Sequence, residues 1–135
     1  QLDRDRLDLP NHSGTLVVET AGGLMVPLSR DWLQIDQVKR WSLPVVLVAD
    51  SGLGTLNHTL LSLEALNHRN IPVLGLILNG PRHADNPITL EQFGQVPVLA
   101  QLPPLKPLDA SALAMEWQEQ DLGPKFQERL KTVAP

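Results

Sequence analysis

Three near-continuous apolar runs punctuate the chain, at residues 43–49, 73–78 and 96–102, and each ends in a polar break containing Gly, Asn or Pro. Runs without alternation are expected of strands covered on both faces in a parallel sheet. A shorter run, Thr15-Leu16-Val17-Val18, is rich in β-branched residues and bounded by Ser13-Gly14 and Gly22-Gly23, so it also reads as a buried strand. Between the first two long runs, Leu56, Leu60, Leu63 and Leu66 recur at spacings of three and four, which predicts a helix over 55–67. Strand, helix, strand is the order a parallel crossover requires.

The remaining segments fill in around that unit. Trp32, Leu33, Ile35 and Val38 predict a short helix over 31–41 with Ser29 as its cap, and Trp32 and Trp41 as packing residues. Pro27 lacks an N–H for a ladder, so 24–28 reads as a buried loop edge rather than a central strand. A helix over 87–94 is expected, with Asn86 capping it and Gly94 closing it. Pro103-Pro104-Leu105-Lys106-Pro107 is neither helix nor central strand and must be a loop at a strand end. Asp109 can cap a helix through Trp117, and Pro124 can open another through Leu130. Residues 1–12 read either as the tail of an amphipathic helix or as a flexible end. The sum is an α/β chain of about four parallel strands with flanking helices.

Composition narrows the function. At 135 residues and 42% hydrophobic, the chain suits one globular unit over 1–135 with one core. A net charge of −4 with 11 scattered Lys and Arg leaves no basic stripe for nucleic acid. No apolar run is long enough to span a bilayer, and the absence of cysteine removes disulfides and thiolate metal sites. A cytoplasmic protein is the simplest expectation. The first residue is Gln rather than Met, so the chain is expected to be part of a longer gene product.

Candidate chemistry lies at the strand ends. The run 15–18 would deliver Glu19 to the carboxyl edge of a sheet, followed by Thr20-Ala21-Gly22-Gly23. In open α/β sheets that edge binds ligands, and paired glycines let a backbone approach a charged group closely. A carboxylate beside such a turn suits a metal–phosphate site, and an ordinary turn with a solvated Glu suits it as well. Asp50-Ser51-Gly52-Leu53-Gly54 precedes the 55–67 helix, whose first N–H groups could face an anion, or the glycines could simply make the turn with Thr55 as cap. His58 reads as a packing or supporting group, and His12, His68 and His83 as solvated surface. No GxxxxGK[ST] segment is present and no Lys adjoins the Glu19 loop.

Read together, Val18-Glu19-Thr20-Ala21-Gly22-Gly23-Leu24-Met25-Val26-Pro27-Leu28, the run 43–48, and Gly52-Leu53-Gly54-Thr55-Leu56-Asn57-His58-Thr59 resemble the dethiobiotin synthetase family. Asn79-Gly80 after the 73–78 strand and the Val96-Pro97-Val98-Leu99 to Leu102-Pro103 segment follow in that family's order. The resemblance covers about 15–105, the C-terminal half of the family domain. It implies a P-loop NTPase-like fold whose phosphate loop lies outside this chain.

The resemblance also implies chemistry. Such enzymes take 7,8-diaminopelargonic acid, CO₂ and MgATP, form a carbamate, phosphorylate it and close the ureido ring of dethiobiotin, usually as homodimers. Glu19 then matches the glutamate that ligands Mg²⁺, and Thr20, Ala21, Gly22 and Gly23 the nucleotide and substrate loop, with Thr20 replacing the usual glycine. Gly54, Thr55, Leu56 and Asn57 match the segment that holds the substrate's tail carboxylate across the dimer. Asn79 matches the adenine-recognising position, Gly80 stands where Asp is frequent, and Pro103, Pro104 and Leu105 match the loop along the base. No catalytic residue is expected within the chain, and the 135 residues alone are expected to be inactive. Two alternatives stay open: a related module that binds nucleotide or a partner without catalysis, and an unrelated α/β domain with a chance Glu-Gly-Gly turn.

Overall fold

A computed structural model describes residues 3–133; the readings for Gln1 and Leu2 lie outside the described residues. The chain divides into two compact units, 1–43 and 44–135. Among the described residues no helix is long and apolar enough to cross a membrane.

Unit 1 is small. It holds a 3-10 turn Arg4–Leu7, strands β1 (Pro27–Ser29) and β2 (Trp32–Leu33) paired antiparallel, and helix α1 (Gln34–Trp41). Trp32, Ile35 and Val38 form its buried apolar residues. The expected helix over 31–41 is shorter at its start because Trp32 and Leu33 pair with β1 instead. Ser29 does not cap it: its hydroxyl donates to Asp31, and the Asp36 carboxylate accepts the N–H of Leu33 at 3.1 Å. Pro27 sits in a two-stranded edge ladder, where its missing N–H costs nothing. Leu7 is held from outside its own segment: its carbonyl accepts from Gln37 Nε2 at 3.0 Å and Trp41 Nε1 at 2.6 Å.

The expected strand at 15–18 does not form. Among the described residues nothing pairs with it, and Val17 is 86% exposed. A β-branched run has the propensity for a strand, but a strand exists only through a ladder with a neighbour. Among the described residues the parallel strands are therefore three rather than four.

Those three make up unit 2. Strands β3 (Val45–Asp50), β4 (Val73–Asn79) and β5 (Val98–Leu102) are parallel in that order, with α2 (Thr55–His68) and α3 (Asn86–Gly94) as the crossovers and α4 (Ala110–Glu119) and α5 (Leu122–Val133) following. On one side of the sheet Leu63, Leu76, Leu78 and Leu90 are buried together, with Leu47 and Ala49 packed against them. On the other side Leu99, Ala100 and Leu122 pack with Ile77 and Phe126. Each fully buried Leu contributes about 1.5–3 kcal/mol of transfer free energy. Trp117 stacks on Phe126 with centroids 5.7 Å apart, joining α4 to α5.

Candidate functional site at the carboxyl edge of the sheet

All three parallel strands end on one side, and three of the candidate segments follow them directly. Asp50 to Gly54 leaves β3, Asn79-Gly80 leaves β4, and Pro103-Pro104-Leu105 leaves β5. Backbone bonds continue past the strands and tie the ends together: Ser51 N–H donates to Asn79 O at 3.3 Å and Gly80 N–H to Leu102 O at 2.8 Å. The structure thus brings Gly54, Asn79 and Pro103 to neighbouring positions on one edge.

Around β3 the loop is built by short-range bonds. The Asp50 carboxylate accepts the N–H of Gly52 at 2.6 Å, and Gly52 O accepts the N–H of Thr55 at 3.2 Å. Gly54 is the N-cap of α2 with φ +91°, a conformation that a β-carbon resists. Thr55 does not cap the helix. It lies inside the first turn, buried, with its hydroxyl 3.3 Å from that of Thr59. Of the matched anion-binding segment, the Thr55 N–H is therefore occupied, and the Leu56 and Asn57 N–H groups are the first-turn donors without a partner among the described residues. His58 is exposed, its ring close above Gly54.

At β4 the Asn79 side chain is exposed and makes no hydrogen bond among the described residues. Gly80 has φ +139°, and a β-carbon there would lie 2.5 Å from Ser51 Oγ. Glycine at that position fits both the backbone and the space that Ser51 fills. Ser51 itself is buried, and its hydroxyl has no partner among the described residues. Pro103 and Leu105 are half-buried and Pro104 exposed, a rigid rim beside Asn79 and Gly80.

Two residues of this edge escaped the sequence reading. Asn86 was expected to cap α3, but Asp85 holds that position and makes no side-chain cap bond. Instead His83 Nδ1 accepts the N–H groups of Asp85 and Asn86, at 3.2 and 3.1 Å. His83 is exposed, as expected of it, yet it closes the helix start. The Asn86 amide reaches back to Ser51 O at 3.4 Å. α3 does end at Gly94, as expected, but the left-handed position that closes it falls on Gln95, φ 55°, and Gly94 gives room to Leu63.

The Glu19 loop belongs to unit 1. Glu19 is exposed and its carboxylate has no hydrogen bond or ion pair among the described residues. The left-handed conformation in this turn falls on Gly22, φ +84°, and not on Thr20, so the Thr side chain imposes no backbone strain. Buried Gln34 fixes the turn by donating to Gly22 O at 3.2 Å and Gly23 O at 3.0 Å. That leaves the carbonyls turned toward Gln34. Among the described residues no cluster of three or more His, Cys, Asp or Glu could hold a metal. A single free carboxylate still fits Mg²⁺, which takes one or two carboxylates together with phosphate oxygens and water.

A parallel sheet flanked by helices, with its loops gathered on the carboxyl edge, is the open α/β architecture, and the family match makes it P-loop NTPase-like. The chain belongs to the AAA domain family, whose model matches residues 1–112. Among named proteins it is 54% identical to the biotin biosynthesis bifunctional protein BioCD of Bordetella avium (strain 197N), over 88% of this chain and 25% of that protein. It is 50% identical to the ATP-dependent dethiobiotin synthetase BioD of Rhodopseudomonas palustris (strain BisB18), over 84% of this chain and 54% of the relative. The BioD of Brucella anthropi is 48% identical, over 88% and 56%. The chain therefore spans between a quarter and somewhat over half the length of these relatives.

Proposed function

We propose that residues 1–135 are the C-terminal part of a dethiobiotin synthetase domain, which in the whole protein carboxylates 7,8-diaminopelargonic acid with CO₂ and closes the ureido ring at the expense of MgATP. The observation that carries this reading is the convergence of Gly54, Asn79 and Pro103 on one carboxyl edge in a chain about half identical to proteins so named. On that reading the free Asn79 carboxamide, which can both donate and accept, reads the adenine, with Gly80 leaving room and Pro103, Pro104 and Leu105 lying along the base. The unpaired Leu56 and Asn57 N–H groups at the start of α2 hold the substrate's tail carboxylate, helped by the helix dipole, with Gly54 and Thr55 shaping the turn. Glu19 is the carboxylate that would hold Mg²⁺, and Thr20, Ala21, Gly22 and Gly23 line the phosphates. Bound Mg²⁺ supplies charge neutralisation at the phosphates. The working form is a cytoplasmic homodimer, as the family resemblance implies.

Phosphoryl transfer also needs positive charge around the transferred group, and no Lys adjoins the Glu19 loop. The 135 residues alone are accordingly inactive. The test is MgATP-dependent dethiobiotin formation by the longer gene product and by this chain. We expect turnover from the first and none from the second, with Asn79→Ala raising the KM for ATP about tenfold, the loss of one or two hydrogen bonds. A gene product without turnover that still binds ATP would leave a non-catalytic nucleotide-binding module as the function.

A further inference from the structure

Gln34 is a polar side chain in a buried place. It is 4% exposed, at the start of α1 beside the fully buried Ile35, and a glutamine is seldom so enclosed unless its amide is bonded. Its amide nitrogen carries two hydrogens and faces two carbonyls, Gly22 O at 3.2 Å and Gly23 O at 3.0 Å. The amide oxygen cannot replace it there, because an acceptor offers nothing to a carbonyl. One side chain thus holds two consecutive peptide units.

The backbone of α1 adds two contacts of the same kind. Gln34 N–H donates to Val26 O and Ile35 N–H to Leu24 O, both at 2.9 Å. The carbonyls of Gly22, Gly23, Leu24 and Val26 therefore all point to the first residues of one helix. In a trans peptide the C=O and the N–H that follows it point in opposite directions. The N–H groups of Gly23, Leu24 and Met25 accordingly point away from α1. None of the three has a partner among the described residues, and nothing lies within 4 Å of where a Gly23 β-carbon would be. A row of outward N–H groups a few residues after the Glu19 carboxylate suits an anion accompanied by a cation.

We propose that Gln34 is the positioning residue of the Glu19 loop, holding the Gly22 and Gly23 carbonyls inward so that the N–H groups of Gly23 and Leu24 stand ready for phosphate oxygens of MgATP. The inference rests on the reading of this loop as the nucleotide loop of a synthetase, and it adds a residue that does not itself touch the nucleotide. Burial is what makes Gln34 effective. Letting either carbonyl turn outward would strand an amide hydrogen of Gln34 away from water, so the loop is held by the penalty for an unpaired buried donor. The donors are oriented before the ligand arrives, and binding does not have to order them.

The test titrates the full gene product with the magnesium complex of a non-hydrolysable ATP analogue and follows the amide resonances of Gly23 and Leu24. Both should move in the unaltered protein. Gln34→Met keeps the length of the side chain and removes both donors, and its dissociation constant should rise about tenfold or more, the effect of losing two hydrogen bonds. Val38→Ala, buried on the same helix but not bonded to the loop, should stay within about threefold despite its lost packing. Should Gln34→Met not fold, Gln34→Glu takes its place, since it keeps the shape, sets an acceptor against the two carbonyls and should weaken binding alike. Resonances that do not move, a Gln34 variant that binds as the unaltered protein does, or a Val38→Ala variant weakened as much as the Gln34 variant overturns the proposal. Dethiobiotin formation on the same samples separates the two readings. A product that makes none, yet binds the analogue through Gly23 and Leu24 and depends on Gln34 to do so, sinks the enzymatic reading and leaves the positioning role; turnover with unmoved resonances does the reverse.

Discussion

A side chain at Gly75 has no space to occupy. A β-carbon there would lie 2.8 Å from the carbonyl oxygen of Pro97 and 2.6 Å from Leu99 Cγ, so the chain entering β5 fills the space where β4 has no side chain. Gly75→Val should destabilise unit 2 by about 3 kcal/mol or more, the upper range for overpacking, read as a lower urea midpoint. Truncation should act oppositely in mechanism but alike in sign: Leu78→Ala, at a fully buried position, should cost about 2–5 kcal/mol in the same measurement. Asn79→Ala should leave that midpoint unchanged within about 0.5 kcal/mol, because its exposed carboxamide bonds to nothing among the described residues. At this scale the sequence was legible where a residue acts on its own neighbours. Asp109 was readable as a cap, and its carboxylate accepts the N–H of Ala112 at 2.8 Å. Gln34 and His83 were not, because each satisfies backbone groups that its local pattern does not mark: Gln34 reaches carbonyls 11 and 12 positions away, and His83 stands in for a cap that Asp or Asn would ordinarily provide.

Elements were legible in proportion to what their own sequence decides. The three long apolar runs became β3, β4 and β5, and the leucine spacing became α2, each within a residue or two of the expected ends. The run at 15–18 has the same chemistry and forms no strand, since a ladder depends on a partner that periodicity cannot report. The hairpin of β1 and β2 was missed for the opposite reason: its pieces are too short to carry a pattern. Helix α4 depends on its cap more than the other helices do, because none of its residues is buried. Asp109→Ala should therefore cost about 1 kcal/mol, seen as faster amide exchange across Ala110–Glu119 with little change in the remainder of unit 2.

For the whole chain, the α/β class and the parallel order were readable, and so was the gathering of three candidate loops on one edge, because parallel strands must all end on the same side. The division at residues 43 and 44 was not, since no shift in composition marks it. Nor was the role of Arg129. Strand β5 begins opposite Leu76, so the earlier carbonyls of β4 lack a ladder partner on that side, and Arg129 supplies one, donating from Nε to Leu74 O at 2.7 Å and from its terminal nitrogen to Val73 O at 3.4 Å. Arg129→Met keeps the length of the side chain and removes these donors. It should cost about 1–3 kcal/mol in urea unfolding, the penalty for stranded acceptors.

That same contact orders events during synthesis. The start of β4 waits for a residue made 55 positions later, which at ribosomal rates of about 5–20 residues per second is roughly 3–11 s. Through that interval the first carbonyls of the emerged β4 are left to water, and the amino end of the strand is the last part of it to be fixed.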